Sequence, residues 1–191
     1  MVLFAGSLNI GWNLYLRSVN RLPGKSNEVM VTFDDGPHPV YTGKVLDLLA
    51  KREVKALFFM IGERAVANPE LVKRVADEGH TIGIHSMKHT AGFTIKSAIG
   101  VKEDLTRCKE VLEEISGREV NFFRPPYGVT NPNIANAVKA LGLVCVGWNI
   151  FRQLWGMSNI YSYSSTLFLS GYLTSRSSAS RNRRASHRIE G

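Results

Sequence analysis

Residues 55–61 read Lys-Ala-Leu-Phe-Phe-Met-Ile, a nearly continuous apolar run about as long as a single strand. A strand apolar on both faces must be covered on both faces, which is the situation in a parallel sheet wrapped by helices. From residue 29 to residue 150 strand-like and helix-like patterns alternate, which predicts an α/β fold with parallel strands. Expected strands cover residues 29–33, 55–61, 81–85, 120–123 and 143–150. Between them, a helix over 43–52 carries Val45, Leu48 and Leu49 on one face. Asn68-Pro69 opens a second helix with a cap residue followed by proline, its inner stripe being Leu71, Val72, Val75 and Ala76 and its end Gly79. Val101, Leu105, Cys108, Leu112 and Ile115 mark a long amphipathic helix that stops at Gly117. Asn131-Pro132 repeats the capped start, with Ile134, Val138 and Leu141 inward and Gly142 at the end.

A chain of 191 residues, 44% hydrophobic and 21% charged, suits one globular domain with a real core. Cys108 and Cys145 form no metal-spaced pair and read as small buried residues, or at most as one disulfide. The net charge of +8 is unevenly spread: residues 151–191 hold six arginines against the single acid Glu190, which leaves the body little of a nucleic-acid footprint. Three segments follow: 1–28, 29–150 and 151–191. The first is fairly apolar but lacks the basic start and cleavage site of a signal peptide, and its apolar stretch is shorter than the roughly 20 residues a membrane span needs. It is expected to pack on the domain, with the clipped end of a membrane anchor, and membrane association through it, as the alternative. The last, rich in serine and arginine and free of lysine, reads as a divergent, disordered tail.

Chemistry concentrates at the strand ends. Asp34 and Asp35 follow an apolar strand and precede Gly36-Pro37. Adjacent carboxylates repel unless a cation lies between them or one keeps its proton, although Asp, Gly and Pro also make ordinary solvated turns. His85-Ser86-Met87-Lys88-His89 follows the third strand, and on a helical turn this spacing puts both rings on one side. Two histidines and a carboxylate leave open positions on a divalent ion, the layout of catalytic rather than structural sites. Arg124-Pro125-Pro126-Tyr127-Gly128 follows the fourth strand, either as a rigid turn or as a loop presenting Arg124 and a main-chain N–H. In parallel α/β folds such strand ends share one face, where active sites lie.

Thr-Phe-Asp-Asp-Gly-Pro at 32–37, His-Ser-Met-Lys-His at 85–89, Arg-Pro-Pro-Tyr at 124–127 and the Glu78-Gly79-His80 approach resemble the polysaccharide deacetylase family, the NodB-homology domain of carbohydrate esterases. The resemblance covers about residues 29–150. It implies a distorted (β/α) barrel that removes N-acetyl, or sometimes O-acetyl, groups from sugar polymers of the chitin or peptidoglycan type, using a divalent metal, usually Zn2+. By position, it implies that Asp35, His85 and His89 hold the metal. Asp34 is then the general base, Arg124 orients it, and the Tyr127 N–H stabilises the oxyanion. His80 has no catalytic counterpart and reads as a packed structural histidine. The partner implied is an acetylated polysaccharide or oligosaccharide, and the setting the cell envelope or extracytoplasmic side.

The pattern breaks after residue 150. The family continues with a motif rich in Asp and Trp or Arg and, later, a Leu-x-His whose histidine is the general acid. Here Phe151-Arg152-Gln153-Leu154-Trp155 departs from it, and His187 lies among arginines. The barrel is therefore expected to be incomplete at its C-terminal side, with an open sheet edge. A frameshifted or otherwise replaced C-terminus would explain the break, and natural divergence is the competing account. Three functions follow: a deacetylase, impaired by loss of the later motifs; a catalytically inactive metal- and carbohydrate-binding remnant; and, ranked last, a nucleic-acid or anionic-surface binder working through the arginine tail.

Overall fold

The computed structural model describes residues 10–20, 29–148, 150–153 and 166–170. Six strands lie parallel: β1 (Ser18–Val19), β2 (Met30–Gly36), β3 (Ala56–Met60), β4 (Thr81–Ile84), β5 (Phe122–Phe123) and β6 (Val144–Val146). Their spatial order is β1-β6-β5-β4-β3-β2, and they curl into a half-barrel. Helices α1 (Tyr41–Lys51), α2 (Gly62–Ala67), α3 (Pro69–Asp77), α4 (Ala98–Ser116) and α5 (Pro132–Ala140) occupy the crossovers. The short α2 has no counterpart in the sequence pattern, because six residues are too few to show a helical period.

All five residues of β3 are buried, as its composition requires. Successive side chains of a strand point to opposite faces, and β3 divides accordingly. Ala56, Phe58 and Met60 join the large core beneath the helices, with Leu46, Val72, Val75, Val101, Leu105, Leu112, Ile134 and Val138. Leu57 and Phe59 join a smaller cluster with Val146, against which Met30 and Phe122 pack. Cys108 is fully buried on the α4 stripe, and both cysteines are free thiols. His80 is buried as well: its Nδ1 accepts the Ala56 N–H at 3.2 Å, and its ring stands edge-on to Phe58.

Of the two expected Asn-Pro starts, Asn68 makes no side-chain cap bond, its Nδ2 donating instead to the Arg64 carbonyl at 2.9 Å, while Asn131 caps as its type suggests. The Asn131 side chain accepts the Ile134 N–H at 2.9 Å, and Gly117 ends α4 in the left-handed conformation at φ 66°. On α1 the inner stripe differs from expectation. Leu46 is fully buried whereas Leu48 is 61% exposed, because the helix starts at Tyr41 and Thr42, Leu46 and Leu49 turn inward together.

The sheet also extends beyond its parallel part. Strand β8 (Thr166–Ser170) pairs antiparallel with β2, and β7 (Ile150–Gln153) pairs antiparallel with β8. Residues 150–153 and 166–170 are thus strand where the sequence reads as tail from 151 on, and among the described residues the sheet still ends in open edges, at β1 and β7. An unpaired edge beside β2 would leave its N–H and C=O groups without partners, and the stretch Thr-Leu-Phe-Leu-Ser supplies them. The other residues of the expected tail, and of segment 1–28 apart from 10–20, lie outside the described residues. Within 10–20, Ile10 is buried and β1 pairs with β6, so this part does pack on the domain. No helix among the described residues is long and apolar enough to cross a membrane.

Candidate metal centre

The parallel strands bring their C-terminal ends to one face, and the candidate residues meet there. Strand β2 reaches it through an irregularity. Phe33 pairs with Phe58 but Gly36 pairs with Met60, so β2 spends one residue more than β3 over that interval. In a regular strand Asp34 and Asp35 would point to opposite faces; an extra residue re-aims them. Asp35 takes up the irregularity at φ 62°. Six non-glycine residues among those described have positive φ, and four of them, Asp35, Ser86, His89 and Tyr127, are at this site. Such backbone costs about 1–3 kcal/mol per residue and persists where the surroundings over-determine it.

Ligand atoms of Asp35, His85 and His89 lie within 4.8 Å of one another. Asp35 Oδ1 stands 3.6 Å from His85 Nε2 and 3.3 Å from His89 Nε2, and the two rings are 4.8 Å apart between centroids. This Oδ1 is buried and accepts no hydrogen bond. A buried carboxylate oxygen without a partner is costly, and a divalent cation between it and the two imidazoles would satisfy it. His85 is prepared for that task. Its Nδ1 lies 2.8 Å from the Arg124 carbonyl, which fixes the proton there and leaves Nε2 as a lone-pair donor toward Asp35. Burial pushes its pKa down to about 3, so the ring is neutral at ordinary pH. One carboxylate and two imidazoles form a donor set suited to zinc, with positions left open.

The histidine motif does not form a helical turn. Residues 85–89 form a loop in which Ser86 (φ 71°) and His89 (φ 49°) are left-handed, and this, rather than helical spacing, brings the rings together. Ser86 is buried and its Oγ accepts the His89 N–H at 2.9 Å. The Ser86 and Met87 carbonyls accept the Gly62 and Glu63 N–H groups at 3.1 and 2.9 Å. Those donors belong to the first turn of α2, where a helix has no acceptors of its own.

Asp34 meets Arg124. The guanidinium is wholly buried and its donors diverge: Nη1 to Asp34 Oδ1 at 2.7 Å and to Thr32 Oγ1 at 2.8 Å, Nε to the Val146 carbonyl and Nη2 to the Gly147 carbonyl, both at 3.0 Å. It lies over the Phe59 ring at 4.2 Å. Burial raises Asp34 to about 6 against the opposing pull of Arg124, so desolvation prevails and the carboxyl titrates near neutrality. Tyr127 stands at the rim, 60% exposed, with its ring 4.7 Å from that of His89. The backbone bonds of its turn come from Gly128 and Val129, and neither uses the Tyr127 N–H.

All six candidate residues therefore lie in one cluster. Sequence reasoning missed Arg64 and the helix-capping role of His38. Arg64, from α2, donates through Nη1 to the Asp35 carbonyl and steadies the left-handed residue. His38 Nδ1 accepts the N–H groups of Val40 and Tyr41 at the start of α1. A histidine followed shortly by a helical pattern was the available signal for the cap; nothing local marks Arg64.

Residues 21–146 match the family described as polysaccharide deacetylase. A peptidoglycan-N-acetylmuramic acid deacetylase of Bacillus subtilis is 37% identical over 136 residues, 71% of this chain and 51% of the relative. A chitooligosaccharide deacetylase of Sinorhizobium fredii is 35% identical over 146 residues, 76% of this chain and 68% of the relative. Among solved structures, a family 4 carbohydrate esterase from Streptomyces lividans in complex with acetate superposes with a TM-score of 0.59 at 31% identity, covering 62% of this chain and 61% of that one. The chain spans about half the length of the first curated relatives it matches.

Proposed function

The chain belongs to the polysaccharide deacetylase family, and on that premise we propose that it is a divalent-metal hydrolase removing N-acetyl groups from a carbohydrate polymer of the peptidoglycan or chitin type. The observation that carries this reading is the buried, unpartnered Asp35 Oδ1 facing two imidazole Nε2 atoms, beside a second carboxylate locked to a buried arginine. Asp35, His85 and His89 hold the ion, and zinc fits the donor set. When bound, it supplies Lewis acidity toward the acetyl carbonyl and the attacking water.

The chain's own residues do the rest. Asp34, with Oδ1 held by Arg124 at 2.7 Å, accepts a proton as water adds to the acetyl carbon. A pKa raised by burial favours that transfer, since a base poised near the working pH is effective. The Tyr127 N–H supports the negative charge that develops on the carbonyl oxygen. As the C–N bond breaks, the proton taken up by Asp34 is returned to the nitrogen, which releases acetate and leaves a free amine on the sugar. Tyr127, exposed at the rim, lies where a polymer would pass. A substrate of this class supports a site of action at the cell envelope or on the extracytoplasmic side, which we include in the proposal.

Acetate release from N-acetylglucosamine oligomers and from peptidoglycan fragments tests the reading, with zinc, after chelation, and in Asp34→Asn. Chelation should abolish turnover, and the substitution should lower it about 10²- to 10⁴-fold. Turnover that survives chelation refutes the metal-dependent mechanism. The departure from the family pattern after residue 150 favours a second reading, a metal- and carbohydrate-binding remnant without turnover. Stoichiometric zinc uptake with no acetate from either substrate would establish it.

A further inference from the structure

The loop that carries both histidines is braced on two sides, and only one of these is the start of α2. The other is Asp104, in the second turn of α4, whose side chain is 6% exposed. Its Oδ1 accepts the Met87 N–H at 2.8 Å, and its Oδ2 receives Lys96 Nζ at 2.6 Å. Met87 is the central residue of the 85–89 loop, set between two left-handed non-glycine residues, Ser86 and His89. An isolated loop with two such residues would relax. Here the Ser86 and Met87 carbonyls are held by α2, and the amide between those carbonyls is held by α4. The loop therefore keeps its shape because a helix on each side claims its backbone.

We propose that Asp104 is a positioning residue of the metal centre: by holding the Met87 N–H it fixes the loop so that His85 Nε2 and His89 Nε2 converge on Asp35. This inference rests on the reading of Asp35, His85 and His89 as metal ligands. Asp104 does not reach those ligands itself. It acts through a main-chain hydrogen bond, so an uncharged side chain of the same shape with an acceptor oxygen can replace it. Lys96 balances the buried charge and fastens the carboxylate from outside. The Lys96 ammonium also lies 6.0 Å from the centre of the buried Phe93 ring, which ties the brace to the core.

The test uses the full chain and three proteins: wild type, Asp104→Asn and Asp104→Ala. Zinc affinity is measured by competition with a chromogenic chelator, and the cobalt-substituted proteins give a visible spectrum that reports ligand geometry. Partners of metal ligands typically change affinity 10- to 100-fold when removed. Asp104→Ala should lose affinity in that range and show an altered cobalt spectrum. Asp104→Asn, which keeps an acceptor for the Met87 N–H, should stay within about threefold of wild type on that scale. Asp104→Ala that is folded and binds zinc like wild type overturns the inference while leaving the metal reading intact. Wild type that takes up no divalent ion removes the metal reading and this inference with it. Amide exchange of Met87 in the wild-type protein guards against a variant that does not fold: protection well above that of an exposed amide is expected, and exchange at the unprotected rate overturns the brace directly.

Discussion

Replacing Arg124 with lysine keeps a positive charge beside Asp34 and removes the fork. The guanidinium reaches four acceptors on two strands and the segment beyond one of them: Asp34 Oδ1 and Thr32 Oγ1 on β2, the Val146 carbonyl on β6, and the Gly147 carbonyl just past it. A lysine ammonium is one point on a flexible stem and cannot span both sides of the half-barrel. If it stays with Asp34, the bonds to Val146 and Gly147 are lost and two buried carbonyls lose a charged donor. At about 1.5–3 kcal/mol for a hydrogen bond to a charged group, two lost bonds cost roughly 3–6 kcal/mol. Loss of the planar stacking on Phe59 adds about 1 kcal/mol. Against a total stability of about 5–15 kcal/mol for a domain, this brings the variant close to unfolding. Urea unfolding of the metal-free proteins measures the difference, as a shift of midpoint at constant slope. A loss below about 1 kcal/mol would show that the fork to β6 contributes little, and the account of Arg124 as the clamp across the half-barrel would fail.

The same pair gives a pH dependence. The folded Asp34 titrates at about 6, above its ordinary 3.8, so its contribution to stability is fully present below the lower value and is lost as pH rises through the higher one. Arg124→Met, which leaves Asp34 without its cation, should therefore show a deficit against wild type that is already present at pH 5 from the lost bonds to Thr32, Val146 and Gly147 and that grows further toward pH 8 in metal-free urea titrations. A constant deficit would contradict it.

The remaining expectations concern other parts of the molecule. Gly83→Ala places a methyl 2.6 Å from the buried Phe59 ring and 3.2 Å from the Phe122 carbonyl; overpacking of this kind should cost about 1–3 kcal/mol in urea unfolding. Burial pushes the thiols of Cys108 and Cys145 up to about 12 from 9.0, which lowers the thiolate fraction about a thousandfold. Both should resist a thiol-specific reagent in the folded protein and react at once in denaturant. Zinc at a hundred times its dissociation constant should stabilise wild type by about 2.7 kcal/mol in thermal melts. Asp35→Asn should lose most of that increment, and an undiminished increment would move the metal elsewhere.

The sequence determined a great deal because much of the information is local. Apolar runs and 3.6-residue stripes marked the strands and helices, and Asn131-Pro132 with Gly117 marked their ends. Parallel connectivity sends the three strand-end motifs to one face, and the family resemblance singled out Asp34, Asp35, His85, His89, Arg124 and Tyr127 within them. Tertiary structure decided what local pattern cannot encode. The extra residue of β2 at Asp34–Asp35 exists only relative to the register of β3, so local pattern alone could not give the two carboxylates their separate partners, which came only from the family resemblance. The left-handed loop of His85–His89 is held from α2 and α4, not by its own spacing. Arg124 finds Thr32 and Asp34 some 90 positions away, and β8 finds β2 from still farther along the chain, in a stretch that reads as tail. Such contacts are fixed by sheet register and by the need to satisfy buried polar groups, and both become defined only when the whole chain has packed.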